Sequence, residues 1–144
     1  MPQHSKAEIL ERCNAFTPNT LMETLHITYT DVGDDFLTAS MPVNARVFQP
    51  DGVLHGGAML ALAESVGSAA CFVFLDTENF SIRGIEMSAN HVKSMRDGQV
   101  HATAKLLHKG KTTQVWNIQL TNDDNQLISA AKLTTIALPK QQWE

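Results

Sequence analysis

Residues 48–75 read FQPDGVLHGGAMLALAESVGSAACFVFL, and this stretch decides how the chain folds. It begins as a turn and passes through His55, Gly56 and Gly57 into a run that is apolar on almost every side. A helix with that pattern is expected to be buried. We therefore predict one long core helix over about residues 56–75.

The polar groups of this helix indicate where its chemistry lies. Glu64 stands among apolar residues, and burying a carboxylate without a partner is costly, so we expect Glu64 to be buried for a function. Ser68 lies one turn later on the same face. The helix begins at Gly56, where backbone N–H groups have no intrahelical acceptor and attract negative charge. A carboxylate and an oxyanion-binding helix start together indicate chemistry at a carbonyl group.

The spacing of these two features predicts an oligomer. Gly56 and Glu64 are separated by about 12 Å along a helix that rises 1.5 Å per residue. One carbonyl group cannot easily contact both ends of that span in one chain. If both act, they come from different subunits, which predicts two symmetric sites at a homodimer interface. The alternative is a structural Glu64 that forms an ion pair in a dimer core.

Composition limits the class of protein. The chain has 144 residues, of which 43% are hydrophobic and 18% charged, which favours a single globular domain over residues 1–144. A net charge of −4 argues against a nucleic-acid-binding surface. Residues 56–75 are long enough to span a membrane, but Glu64 and the glycines and serines around it favour a buried helix. The two cysteines have no metal-binding spacing, which predicts a cytoplasmic protein with reduced thiols and no metal.

The remaining periodicity predicts an α+β fold. Ser5 and Glu8 have the spacing of a capping box, which predicts a short helix over residues 6–13. Alternating apolar and polar residues indicate antiparallel strands joined by tight turns. We expect a hotdog arrangement, an antiparallel sheet wrapped around one long central helix whose outer side a second copy covers. The predicted strands are 26–32, 36–43, 81–95, 99–107, 112–121 and 126–138.

Several other polar residues are candidates for the same site. No Gly-x-Ser-x-Gly, His-Glu-x-x-His or phosphate-binding glycine motif is present in the sequence. His55 would orient the loop or donate a hydrogen bond, and Gln49 would donate to a carbonyl or satisfy loop backbone. Ser68 would hold the carboxylate or a water, or bond back to the Glu64 carbonyl. His91 is either a site residue or a half-buried packing residue.

The motifs resemble one known family. The chain looks like the hotdog-fold acyl-CoA thioesterases of the PaaI-like group, notably the 1,4-dihydroxy-2-naphthoyl-CoA hydrolases and the proofreading thioesterases of enterobactin synthesis. The likeness runs roughly from Ser5 to Leu138. It rests on Gln49-Pro50, Leu54-His55-Gly56-Gly57-Ala58, Leu62-Ala63-Glu64-Ser65-Val66-Gly67-Ser68, Asn90-His91-Val92, Gly110 and Gln114-Val115-Trp116.

The resemblance implies roles for these residues. Glu64 is the catalytic carboxylate, which attacks a thioester carbonyl or activates water. The Gly56 N–H is the oxyanion donor, assisted by Gln49 and His55, and Ser68 positions the hydrolytic water. The implied substrate-binding residues are His91 and Asn90 near the thioester, with Lys93, Ser94 and Arg96, or Gly110, Lys111 and Thr112, for the phosphates of coenzyme A.

The expected function is hydrolysis of an aromatic or medium-chain acyl-CoA to free acid and CoA. Coenzyme A is part of the substrate and no separate cofactor is implied. A carrier-protein thioester is a second possible substrate, and we expect a homodimer that pairs into a homotetramer. The alternatives are a hotdog hydratase or dehydratase and a non-catalytic acyl-CoA-binding protein.

Overall fold

The computed structural model describes residues 4–142 of the chain. Alternating apolar residues form the strands, and the continuous apolar run after His55 forms the long helix. In chain order the elements are α1 (Lys6–Ala15), α2 (Leu21–Thr24), β1 (Thr28–Val32), β2 (Phe36–Pro42), α3 (Gly56–Phe74), β3 (Phe80–His91), β4 (Gln99–Lys109), β5 (Thr113–Thr121) and β6 (Leu127–Pro139).

Within residues 4–142 the six strands form one antiparallel sheet in the order β1-β2-β4-β5-β6-β3. Strands β1 and β3 are therefore the two edges of the sheet. The sheet curves around α3, which packs against β2, β3, β4, β5 and β6. This arrangement confirms the predicted α+β hotdog fold.

The core lies between α3 and the concave face of the sheet. Every second residue of the central strands points at the helix and is buried, as the alternation predicts. The helix approaches the sheet closely at Gly67, where an added Cβ would lie 2.6 Å from Leu133 Cδ2. The fully buried side chains include Leu37, Met41, Leu62, Val66, Val100, Trp116, Ile118, Leu120, Ile128 and Leu133.

Helix α3 is long and apolar enough to cross a membrane by length and composition, with a mean hydropathy of 1.6. In this fold it is the core helix, since the sheet wraps one of its sides. Its apolar character therefore has a structural explanation inside the domain.

Helix α1 is fixed against the β1 edge of the sheet. It begins at the predicted capping box, in which Ser5 and Glu8 exchange hydrogen bonds, and extends two residues beyond the predicted end. The Asn14 side chain donates to the Tyr29 carbonyl at 3.0 Å and accepts from the Tyr29 N–H at 2.8 Å. Lys6 also pairs with Asp31. These contacts hold α1 against β1.

Strand β3 differs from its prediction in two ways. It ends at His91 instead of residue 95, because the N–H groups of Val92 and Lys93 both donate to the Ile128 carbonyl and the chain bends away. The alternation behind the predicted strand 81–95, which would put residues 85, 87, 89 and 91 on one face, is also interrupted. The register shifts between Gly84 and Glu86, so Ile85 is 56% exposed.

Candidate active site

The start of α3 presents an unused backbone donor. His55 caps the helix, with its Nδ1 accepting from the Gly57 N–H at 2.7 Å. The neutral ring therefore carries its proton on Nε2, which stays available as a donor. The N–H of Gly56 donates to no acceptor among residues 4–142. The helix start thus presents a free backbone donor of the kind that binds negative charge.

The loop before the helix places Gln49 beside this donor. A bridge between Phe48 and Leu54 closes the loop, and the Gln49 N–H donates to the Val53 carbonyl at 2.8 Å. Across the described residues, the Gln49 side-chain amide makes no hydrogen bond, so its donor is free to act on a ligand. Arg96 fastens the loop by donating from Nη1 to the Gly52 carbonyl at 3.2 Å.

His91 lies against the same helix start. A Cβ added at Gly56 would be 3.0 Å from His91 Nε2, so glycine lets this ring lie against the helix start without being displaced. Ser129 donates its hydroxyl proton to the Asn90 carbonyl at 3.2 Å, so its oxygen accepts from His91 Nδ1 at 2.8 Å. This network leaves Nε2 of neutral His91 without a proton, facing Gly56. No sequence motif marks Ser129 as the residue that orients His91.

Glu64 forms the second part of the site, and its predicted burial is wrong for the single chain. The side chain is exposed, because the sheet covers one side of α3 and Glu64 projects from the other. A Cβ added at Gly84 of β3 would lie 3.4 Å from Glu64 Oε1. The carboxylate therefore sits beside a backbone position that has no side chain to crowd it.

Ser68 lies one turn beyond Glu64 and lines two adjoining cavities of about 700 Å³ and 380 Å³. Its hydroxyl makes no hydrogen bond within residues 4–142, so the bond back to the Glu64 carbonyl is not formed. Ser65 makes such a bond instead, donating to the Ala61 carbonyl at 2.6 Å. Ser68 is therefore the hydroxyl that remains available beside the carboxylate.

The two parts of the site are far apart in one chain. His91 and Gly84 lie on the same strand, seven residues apart, or about 23 Å at 3.3 Å per residue. Gly56 lies beside His91 at one end of this strand segment, and Glu64 lies beside Gly84 at the other end. One reacting carbonyl cannot lie beside both within a single chain.

The candidate phosphate-binding residues also separate into two places. Lys93, Ser94 and Arg96 follow the end of β3 near the helix start. Gly110, Lys111 and Thr112 form the β4–β5 turn, at the opposite end of the sheet, where β3 begins. The structure therefore does not bring these two groups together in one chain.

A serine, a histidine and an aspartate also meet on the other face of the sheet. His101 Nε2 donates to Asp123 Oδ1 at 2.7 Å, and Ser40 Oγ donates to His101 Nδ1 at 2.6 Å. Ser40 is only 6% exposed, and neither cavity described above is lined by these residues. Asp123 also accepts from the Gln99 N–H at 3.0 Å. The cluster ties two turns together and leaves no room for a substrate at the serine.

Comparison with known proteins identifies the class. The family model of the thioesterase superfamily matches residues 51–129. The chain is 42% identical over 129 residues to the 1,4-dihydroxy-2-naphthoyl-CoA hydrolase of Escherichia coli, covering 90% of this chain and 94% of that protein. It is 40% identical to the proofreading thioesterase EntH of Cronobacter sakazakii, with 90% and 93% covered.

A solved structure agrees with the fold over the same range. A mutant of the Pseudomonas aeruginosa thioesterase PA1618 superimposes with a TM-score of 0.87 at 43% identity, covering 90% of this chain and 94% of that one. The family match and the relatives named as hydrolases and thioesterases place the protein among the thioester hydrolases. The chain belongs to the thioesterase superfamily, which confirms the resemblance drawn from its sequence.

Proposed function

We propose that the protein is an acyl-CoA thioesterase that hydrolyses an aromatic or medium-chain acyl thioester at a site shared by two subunits. The observation that carries this proposal is the unused Gly56 N–H at the start of α3, with the exposed Glu64 carboxylate on the same helix. Both groups suit a reaction in which a carbonyl oxygen gains charge.

The free edge of β3 supports the shared site. An edge strand exposes unpaired backbone groups that favour pairing with another chain. If a two-fold axis passes through the middle of the segment from Gly84 to His91, Gly84 of each subunit lies opposite His91 of the partner subunit. The Glu64 carboxylate would then lie beside the partner's Gly56. The exposed Ile85 would be covered by the same contact.

In this site the Glu64 carboxylate attacks the thioester carbonyl carbon, or removes a proton from a water that attacks it. The carbonyl oxygen gains negative charge, which the partner's Gly56 N–H stabilises, with Gln49 and His55 as further donors. The carbon–sulfur bond then breaks and CoA leaves as a thiolate that takes up a proton. In the attack route, water next cleaves the mixed anhydride to acid and carboxylate, and Ser68 orients that water.

Trapping the mixed anhydride in isotopically labelled water separates the two routes. Only the attack route forms a covalent adduct at Glu64, so labelled oxygen in that side chain after one turnover identifies it. An unlabelled Glu64 with labelled product acid is expected when the carboxylate acts as a base and also when water attacks the acyl carbonyl of the anhydride, so trapping of the anhydride itself then decides between the routes.

The proposal extends to binding and assembly. Asn90 and His91 bind near the thioester, and the basic residues after β3 or in the β4–β5 turn bind the phosphates of coenzyme A. Carrier-protein thioesters are a second substrate class. The reaction needs no separate cofactor, and the protein is a cytoplasmic homodimer that pairs into a dimer of dimers.

Release of free thiol from a panel of aromatic and straight-chain acyl-CoAs tests the activity. Removing a general base or nucleophile lowers turnover by about 10²–10⁴-fold, so Glu64→Ala should lose that much. The control is Glu11→Ala, which should retain wild-type turnover. Glu11 is an exposed glutamate on α1 and lines neither cavity. A Glu64→Ala variant as active as the control would contradict the assignment.

A further inference from the structure

The cavity that holds Glu64 continues away from it along the outer side of α3. Its volume is about 700 Å³, within the range of small-molecule sites. Helices α1 and α2 form its far wall. The apolar side chains that line this part are Ile9, Phe16, Leu21, Met22, Tyr29 and Phe72.

Three of these side chains, Phe16, Leu21 and Phe72, are exposed although they are large and apolar. Phe16 is 75% exposed and Phe72 is 64% exposed, and their rings stack with centroids 6.4 Å apart. A cluster of this kind inside a concavity marks a binding site for an apolar group. The stacked pair joins α1 to α3, and beyond it the lining becomes polar at Asp76, Thr77 and Glu78, so the pair marks the end of the apolar part of the cavity.

The wall is held in place before any ligand enters. Asn14 pairs with both backbone groups of Tyr29, which fixes α1. The Tyr29 hydroxyl donates to the Ser65 carbonyl at 3.2 Å and so joins the floor of the cavity to α3. A preformed site loses less ordering entropy on binding than a flexible one.

The length of the cavity selects among acyl groups. Phe72 lies eight residues beyond Glu64, or about 12 Å along a helix. Small residues, Ser65 and Ala69, leave the path between them open. Three bonds of an extended chain span about 3.5 Å, so about ten bonds cover this distance. An aromatic acyl group attached at the carbonyl would stop well short of the stacked pair.

We infer that this cavity binds the tail of an unbranched acyl chain of about eight to ten carbons, with Phe16 and Phe72 at the end of its apolar part. The inference rests on the proposed function, because it takes the thioester carbonyl to lie at Glu64. It assigns the N-terminal helices to substrate selection, since α1 and α2 supply one wall of the site.

Binding of non-hydrolysable thioether analogues of acyl-CoA, measured by calorimetry, tests this assignment without requiring turnover. Affinity should rise roughly two- to fourfold for each added methylene and level off near ten carbons. In Phe72→Ala the ratio of ten-carbon to two-carbon affinity should fall about tenfold, and Phe16→Ala should act in the same direction. Leu107→Ala, which removes a 69% exposed side chain outside both cavities, should keep the wild-type ratio.

Three results would overturn the inference. The first is an affinity that does not depend on chain length, and the second is a wild-type ratio in Phe72→Ala. The third is a Phe72→Ala protein whose oligomeric mass falls while its ratio of ten-carbon to two-carbon affinity stays unchanged. That result would show that the surface around Phe72 binds a second copy of the chain. Chain-length-dependent binding without hydrolysis of any thioester would support this cavity and contradict the proposed function instead.

Discussion

Gly56 is the first residue of α3, and its N–H is the group on which the proposed oxyanion site depends. Proline is tolerated at the first helical position, where it removes only the N–H. The preceding residue, His55, already has φ −67° and ψ 133°, the conformation that a following proline requires. Gly56→Pro should therefore fold but lower kcat by about 10²–10³-fold.

The control for this variant is Gly56→Ala, which adds the same Cβ beside His91 and keeps the N–H. It should lose much less activity than Gly56→Pro in the same thiol-release assay. Equal losses in the two variants would show that crowding at His91, and not the missing donor, is responsible.

Asp123 makes a pH-dependent contribution to stability. Hydrogen bonds from His101 and then from the Gln99 N–H hold the pKa of its carboxyl below the ordinary 3.8. The charged form is therefore favoured in the folded protein. Its contribution is fully present above the unfolded pKa and is lost as the pH falls through the lower folded value.

Urea unfolding between about pH 2 and pH 6 measures this contribution. Asp123→Asn should lower the free energy of unfolding near pH 6 and flatten its decline toward acid. Asp124→Asn is the control, since the Asp124 carboxylate accepts no hydrogen bond within residues 4–142. If the free energies of unfolding of Asp123→Asn and the wild type fall in parallel as the pH is lowered, the Asp123 carboxylate does not cause the loss of stability in acid.

The glycine-bearing turn of α3 that packs on β6 should tolerate no side chain. An added Cβ at Gly67 would meet Leu133 and Ile118, which are fully buried and have no space to move into. Gly67→Val should lower the free energy of unfolding by about 1–3 kcal/mol through overpacking. Ala69→Val places the same side chain on the cavity side of the helix and should cost much less. Similar costs, measured by denaturant unfolding, would contradict tight packing at this turn.

The strands and α3 are predictable from sequence because alternation and a continuous apolar run are local patterns. The end of β3 is not, since it depends on a bend created when Val92 and Lys93 share the Ile128 carbonyl. The position of α1 likewise depends on Asn14 meeting Tyr29, a contact between residues distant in sequence. The cavity that α1 forms was therefore not predicted.

The site residues likewise divide into those that a local sequence motif predicts and those that depend on contacts between distant residues. Glu64, Gly56 and His55 stand in a recognisable motif, and the cap at His55 follows from the sequence of the helix start. The Ser129 hydroxyl that sets the tautomer of His91 lies on a different strand and has no motif. The burial of Glu64 cannot be predicted from one chain, because the exposed side of α3 is covered, if at all, by another molecule.

Assembly is central to the proposed chemistry, since Gly56 and Glu64 cannot serve one carbonyl within a single subunit. Subunit complementation measures this most directly. Glu64→Gln and Gly56→Pro proteins are each prepared, mixed under conditions that exchange subunits, and assayed for thiol release. A mixed dimer then holds one site with an intact carboxylate from one chain and an intact N–H from the other.

Random exchange should restore about a quarter of wild-type activity, because half of the dimers are mixed and each has one of two sites intact. Recovery to that level would support a site shared between subunits. If exchange is complete by mass measurement and activity stays at the level of the two parent variants, Glu64 and Gly56 act within one chain and the shared site is contradicted.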